Sequence, residues 1–299
     1  MSEVSMLFEQ ALLSPLRQVS GGHIWCEGAA WLQHAGQLLF SDVKKNALYL
    51  YHPDSQETTL VTDYSHFANG NYSLANGDVV TCEHGRRCLS IRHKDNLALA
   101  KVLVDQYDGK RLNSPNDVVE RRSDGTIWFT DPPYGIISDA EGFKSESQMI
   151  GCYIYCYDPR EQSLTIASTD IQRPNGLVFS PDEKTLYVAD MSIVDFPTQG
   201  LKHLKAFDVH GKVLSQGRLV YQVEHGIPDG MTMDRFGMLY CSSSEGVLVL
   251  NRDMVLVGCI PVPETVSNCT LNHDESTLYI TASTSVYAID LNCQKLAEL

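Results

Sequence analysis

The sequence predicts an all-β chain folded as a six-bladed β-propeller of four-stranded antiparallel blades. Three observations carry that prediction: a short phrase recurs six times, each copy is flanked by further strand-like runs, and helical periodicity is nearly absent. The phrase is a turn, a β-rich run, then a small or acidic residue: GQLLFSD (36–42), GDVVTCE (77–83), GTIWFTD (125–131), KTLYVAD (184–190), GMLYCSS (237–243) and STLYITA (276–282). Its last residues stand 41, 48, 59, 53 and 39 positions apart, and about 50 residues is the length of one propeller blade.

Taken in order, only residues 4–14 (VSMLFEQALLS) carry a helical pattern, inside a short N-terminal segment, 1–15. Each phrase opens on turn chemistry such as Ala75-Asn76-Gly77 or Ser123-Asp124-Gly125, which closes a hairpin. Each is followed by another apolar run: ALYLYHP (47–53), CLSIRH (88–93), CYIYCYDP (152–159), LKAFDVHG (204–211), GVLVLNR (246–252) and SVYAIDL (285–291). Strands without interleaved helices exclude a parallel βαβ architecture; a two-sheet sandwich or two smaller β domains is the rival. The longest interval holds residues 132–150, rich in turn-formers and charge, which read as an insertion over one face, a candidate lid. No linker divides the chain, so residues 1–299 are read as one domain.

Composition narrows the function classes. A formal charge of −14, from 23 basic and 37 acidic residues, argues against binding nucleic-acid phosphates or an anionic membrane. No run approaches 18 apolar residues, and the N-terminus lacks the basic and small-residue features of a secretory signal. Nine cysteines without a C-x-x-C pair read as reduced thiols of a cytoplasmic protein. No G-x-S-x-G is present, so a nucleophile-elbow esterase has no support.

The strand before each hairpin opens on Glu27, Asn116, Asn175, Asp229 or Asn268, nine or eight residues ahead of the phrase; in the second repeat Asn71 stands six ahead. In a propeller the innermost strands run along the central channel, so equivalent opening residues converge at one mouth. Glu27, Asn116, Asn175 and Asp229 all offer side-chain oxygen. Two carboxylates and two amides in a ring favour a hard cation, above all Ca²⁺, with Zn²⁺, Mn²⁺ or Mg²⁺ as substitutes. Asn71 is read either as a second-repeat channel residue or as a turn asparagine, and His84, in CEHGRR (82–87), as a surface turn.

Longer motifs bring a family into view: WCEGAAW (25–31), NSPNDVV (113–119), WFTDPPYG (128–135), RPNGLVFSPDEKTLYVAD (173–190) and PDGMTMD (228–234). Over nearly its whole length the chain resembles the gluconolactonase / senescence-marker-protein-30 (regucalcin) / luciferin-regenerating-enzyme family of metal-dependent six-bladed propellers. The resemblance implies lactone hydrolysis with one divalent metal, usually calcium, held by Glu27, Asn175 and Asp229, with Asn116 completing the site or facing substrate. Where the animal branch carries a substrate-contacting Arg, this chain has Ser114. In bacterial relatives the position of Asp131 is a proposed proton carrier, so the general base is open between Asp131, expected free near the rim, and Asp229. Tyr134 and the lid would wall the substrate.

The expected reaction opens a sugar lactone to its hydroxy acid, the cation polarising the carbonyl and an Asp acting as base. A phosphotriester or other ester hydrolase on the same site, and a non-catalytic calcium-binding propeller, are the alternatives. A monomer or small homo-oligomer is expected.

Overall fold

The computed structural model describes residues 3–299 and has six antiparallel blades around one axis. Hydrogen bonding in blade 1 follows chain order outward: Cys26–Leu32, Gln37–Asp42, Ala47–His52, Glu57–Thr62. Blades 2 to 5 repeat the order, with inner strands Ala68–Ser73, Val118–Arg121, Pro174–Phe179 and Met231–Met233. Each predicted hairpin phrase is the second strand of its blade. That strand packs on both faces, which is why LLF, VVTC and IWF run apolar without alternation; Val79–Glu83 and Thr126–Thr130 are buried throughout.

The core is divided among the seams between blades. Six apolar clusters occur, one per seam: Leu39 and Val79 join blades 1 and 2, Phe129 and Tyr155 pack beside Val80, and Trp128 meets Leu177 and Val188. Leu204 with Leu239, Tyr240 with Ile280, and Phe40 with Tyr279 fill the other three. A single blade could not bury both its faces alone, so the circle is the unit of stability. Each fully buried Leu or Phe contributes about 1.5–3 kcal/mol.

Blade 6 draws on both ends of the chain. Val266–Leu271, Thr277–Ala282 and Ser285–Asp290 supply three strands, and Arg17–Gly21 pairs with Ser285–Asp290 as the fourth. Arg17 makes a two-pronged ion pair with Asp290, at 2.7 and 2.8 Å. The N-terminal helix, Glu3–Ala11, is shorter than the predicted 4–14 because Leu12 already bridges Leu291 in extended form. Its Phe8 packs over Gly258 in the seam between blades 5 and 6. No helix among the described residues is long and apolar enough to cross a membrane. All nine cysteines are free thiols.

Candidate active site

A closed belt of hydrogen bonds fixes the mouth of the channel. The Ser41 hydroxyl donates to the Asn69 carbonyl at 2.7 Å, the Gly70 amide to that of Asn116 at 2.8 Å, and the Thr130 hydroxyl to that of Asn175 at 2.7 Å. The Gly176 amide donates to the Asp229 carbonyl at 3.1 Å, the Gly230 amide to that of Ser267 at 2.6 Å, and the Ser267 hydroxyl to that of Cys26 at 2.6 Å. Each bond crosses one seam. Strand register then identifies the equivalent side chains as Glu27, Asn69, Asn116, Asn175, Asp229 and Ser267.

Four of the predicted residues, Glu27, Asn116, Asn175 and Asp229, therefore share one position, and two predictions are corrected. In blade 2 the ring position belongs to Asn69, not Asn71. Asn69 stands eight residues ahead of Gly77, in step with the other blades, and Asn71 lies two places on, past a bulge that blade 2 shares with blade 1. The Asn71 amide is consumed in cross-seam bonds: it donates to the Gly28 carbonyl, the Ser41 hydroxyl and the Asn69 carbonyl, and accepts from the Thr81 hydroxyl at 2.9 Å. In blade 6 the ring residue is Ser267; Asn268 falls one place deeper, level with Asp117. There the Asn268 amide hydrogen-bonds the Asp117 carboxylate across the channel. Two glycines make room for that pair: a Cβ at Gly230 would stand 2.1 Å from Asn268 Cγ, and one at Gly70 would stand 2.7 Å from Asp117 Oδ1.

The ring is electrostatically unbalanced. Burial pushes the Glu27 carboxyl well above the usual range, reinforced by Asp229 and Asp117. Burial also pushes Asp229 well up, reinforced by Asp117 and Glu141 and opposed by a hydrogen bond from Asn175. Glu27 Oε2 accepts the Gly28 amide at 3.1 Å, and among the described residues no Lys, Arg or His pairs with Glu27 or Asp229. Two buried acids beside amide oxygens form a set that could hold a hard divalent cation.

Asp131 does not lie free at the rim as the sequence suggested. It is fully buried, and its carboxylate oxygens accept the Asn113 and Ser114 amides, both at 2.8 Å. Burial pushes it up to about 7 against those bonds. The equivalent residues at other hairpin ends do the same work: Asp42 accepts the Ile24 and Trp25 amides, and Asp190 that of Ser192. The acidic residue closing the phrase is thus a loop clamp. Ser114 is also occupied: its hydroxyl donates to the Pro132 carbonyl at 2.7 Å and accepts the Gly135 amide at 2.9 Å.

The insertion between the second and third strands of blade 3 lies against this mouth, with Tyr134–Ile137 forming one helical turn. Tyr134 presents a buried Oη without a hydrogen-bond partner among the described residues, and Asp195, Asp229 and Arg173 stand close enough to act on it. His84, expected in a surface turn, is instead buried beneath the insertion. Burial pushes its imidazole down to about 4. Its sequence neighbours Glu83, Arg86 and Arg87 suggested exposure, yet Glu83 and Arg87 are buried with it.

Residues 25–284 match the model of the SMP-30/Gluconolactonase/LRE-like region. The chain belongs to this family. Its relatives include a gluconolactonase of Zymomonas mobilis, 29% identical over 92% of this chain and 81% of the relative. A gluconolactonase of known structure from Xanthomonas campestris superposes with a TM-score of 0.88 at 35% identity, covering 95% of this chain and 92% of the other. A calcium-binding regucalcin from Agrobacterium tumefaciens shares the fold, with a TM-score of 0.73 at 15% identity over 93% and 94% of the two chains. The matched family region contains every residue of the channel ring.

Proposed function

We propose that the protein is a metal-dependent lactonase that opens a sugar lactone, such as a gluconolactone, to its hydroxy acid. The observation that carries the reading is the pair Glu27 and Asp229, both buried on one channel ring and close enough to act on each other, with Asn69, Asn116 and Asn175 at the equivalent positions of the neighbouring blades. Its context is a chain whose full-length relatives include gluconolactonases. A divalent cation, Ca²⁺ by the hardness of the donors, would be held by Glu27, Asn175 and Asp229 with Asn116; bound there it would supply Lewis-acid polarisation of the lactone carbonyl.

The remaining steps belong to the chain. Asp229 is the general base: its carboxylate accepts a proton from the attacking water and returns it to the ring oxygen as the acyl–oxygen bond breaks. Our reading leaves Asp131 outside that role, since each of its oxygens already accepts a backbone amide. Asn175 hydrogen-bonds Asp229 and also donates to Met191 Sδ, which orients its amide. Tyr134 Oη donates to a substrate hydroxyl, and the insertion shields the site from water. Asn116 faces the substrate from the ring, while Ser114 and Asn71 support the wall without touching it.

The test is a panel of aldono-lactones, aryl esters and an aryl phosphotriester, assayed with Ca²⁺ and with EDTA. Lactone hydrolysis that EDTA abolishes and Ca²⁺ restores is expected. A higher kcat/KM on the phosphotriester, or lactone hydrolysis indifferent to EDTA, would overturn the reading.

A further inference from the structure

We propose that His84 is a positioning residue: it sets the amide of Asn69 with the oxygen turned toward the channel ring, and it ties that orientation to the seated insertion. The inference rests on the ring being the reaction site, as proposed above.

The argument starts from hydrogens. His84 Nδ1 lies 3.0 Å from the carbonyl oxygen of Glu141. A carbonyl only accepts, so Nδ1 carries the hydrogen. The neutral tautomer that follows has a bare Nε2, which lies 3.2 Å from Asn69 Nδ2 and accepts from it. With Nδ2 engaged, Asn69 Oδ1 points away from the histidine. The Asn69 main chain is already held, since its carbonyl accepts from Ser41 and Asn71. The terminal amide torsion is the remaining freedom, broad and two-fold by nature, and His84 removes it.

The same imidazole touches the insertion at two places. Beyond the Glu141 carbonyl, Gly135 lies against it so closely that a Cβ there would come within 2.4 Å of His84 Cβ. Two further contacts hold this part of the insertion down: Lys44 Nζ to Glu141 Oε1 at 3.4 Å, and Phe143 edge-on to Phe67 with ring centres 5.4 Å apart. His84 thus stands between a ring donor on one side and the cover of the site on the other. When the insertion lifts, the Glu141 carbonyl leaves, the tautomer is no longer dictated, and Asn69 is free to turn its nitrogen inward.

The test uses the whole protein. His84→Leu removes both bonds; His84→Gln keeps one N–H donor and one oxygen acceptor. We expect His84→Leu to lower kcat/KM on the lactone by about 10- to 100-fold, the usual loss when a group that orients a ligand is removed, with substantial rescue in His84→Gln. In an Asn69→Ala background His84→Leu should add less than about 2-fold. Two readouts on the metal-free wild type and variants need no lactonase activity. Nitrogen NMR should show Nδ1 protonated and Nε2 bare near neutral pH, and the amides of Phe143 and Ser145, which donate to the Gly135 and Ile136 carbonyls inside the insertion, should exchange faster in His84→Leu than in wild type. Additive losses in the double variant, a protonated Nε2, or unchanged exchange would overturn the proposal. Failure of the wild type on every lactone would instead strike the functional reading and leave the NMR and exchange results to decide His84.

Discussion

Two belts of acidic residues circle the channel, and they are treated in opposite ways. At the hairpin ends, Asp42, Asp131 and Asp190 accept backbone amides, and Glu83 accepts from Ser90, Arg86 and the buried Arg92. At the ring, Glu27 and Asp229 are buried within electrostatic reach of each other with few partners from the protein. Buried polar groups are normally satisfied. The belt repeated in four blades satisfies its acids with partners from the chain, whereas the ring, with acids in only two of six blades, is the place our proposal gives to the cation.

The largest effect should come from the sparse belt. Asp229→Asn should reduce kcat/KM on the lactone by roughly 10³-fold, within the range general-base removal produces. In EDTA its melting temperature should stay level or rise, because a buried charge has gone. A marked loss of stability without metal would place Asp229 with the clamps and break the comparison.

Asp131→Ala should do the reverse. It leaves the Asn113 and Ser114 amides without an acceptor, at about 1–3 kcal/mol each, so urea unfolding should show a loss of roughly 3 kcal/mol. Activity per folded molecule should fall by less than about 10-fold, well short of the loss expected for a general base. A loss comparable to that of Asp229→Asn would return Asp131 to the chemistry.

The pH dependence sharpens the contrast. Asp117 and Asp131 are pushed up to about 7 by burial. The unfolded chain sheds their protons above about pH 4 and the folded chain only near 7, so the stability they hold at low pH is lost as pH rises across that window. Glu27 and Asp229 are shifted in the same direction. A cation that demands their ionised forms displaces protons and binds tighter as pH rises. The gap between melts in Ca²⁺ and in EDTA should therefore widen from about pH 5 to about pH 8, toward the ~3 kcal/mol given by ligand at 100 times its Kd. A gap independent of pH would mean the ring does not take the cation.

The smallest effects separate neighbours. Asn71→Ala should cost about 1–2 kcal/mol of stability through its cross-seam bonds, leaving KM nearly unchanged. Asn69→Ala, which orphans only the His84 Nε2 acceptor, should cost about 1 kcal/mol and lower kcat/KM. The melting temperature and lactone kinetics of the pair would check both.

Much of this was legible in the sequence. The phrases from GQLLFSD to STLYITA mark every second strand, because a strand buried on both faces must stay apolar along its length. Glu27, Asn116, Asn175 and Asp229 stood out because residues of different types with oxygen side chains fell at one phase. What the sequence hid is register and burial. Asn69 lies eight before Gly77 and Asn71 six, Ser267 nine before Ser276 and Asn268 eight. In blade 6 both offsets fit the count of nine or eight, so only the strand register and the seam bonds choose Ser267; in blade 2 Asn69 keeps the count and Asn71 does not. Asp131 and His84 were misread because burial beneath the insertion comes from the packing of distant segments. The pairing of Arg17–Gly21 with Ser285–Asp290 joins positions some 270 apart, which no local pattern announces.

That last pairing has a consequence for how the molecule comes into being. Blade 6 acts as a buckle, its tongue from one terminus and its frame from the other. Until the final hairpin emerges during synthesis the first strand has nowhere to dock, and Glu27 and Asp229 sit on an open arc. Closure of the channel mouth thereby waits on that hairpin, and a cut that frees the Arg17–Gly21 strand should disarm the enzyme from a distance.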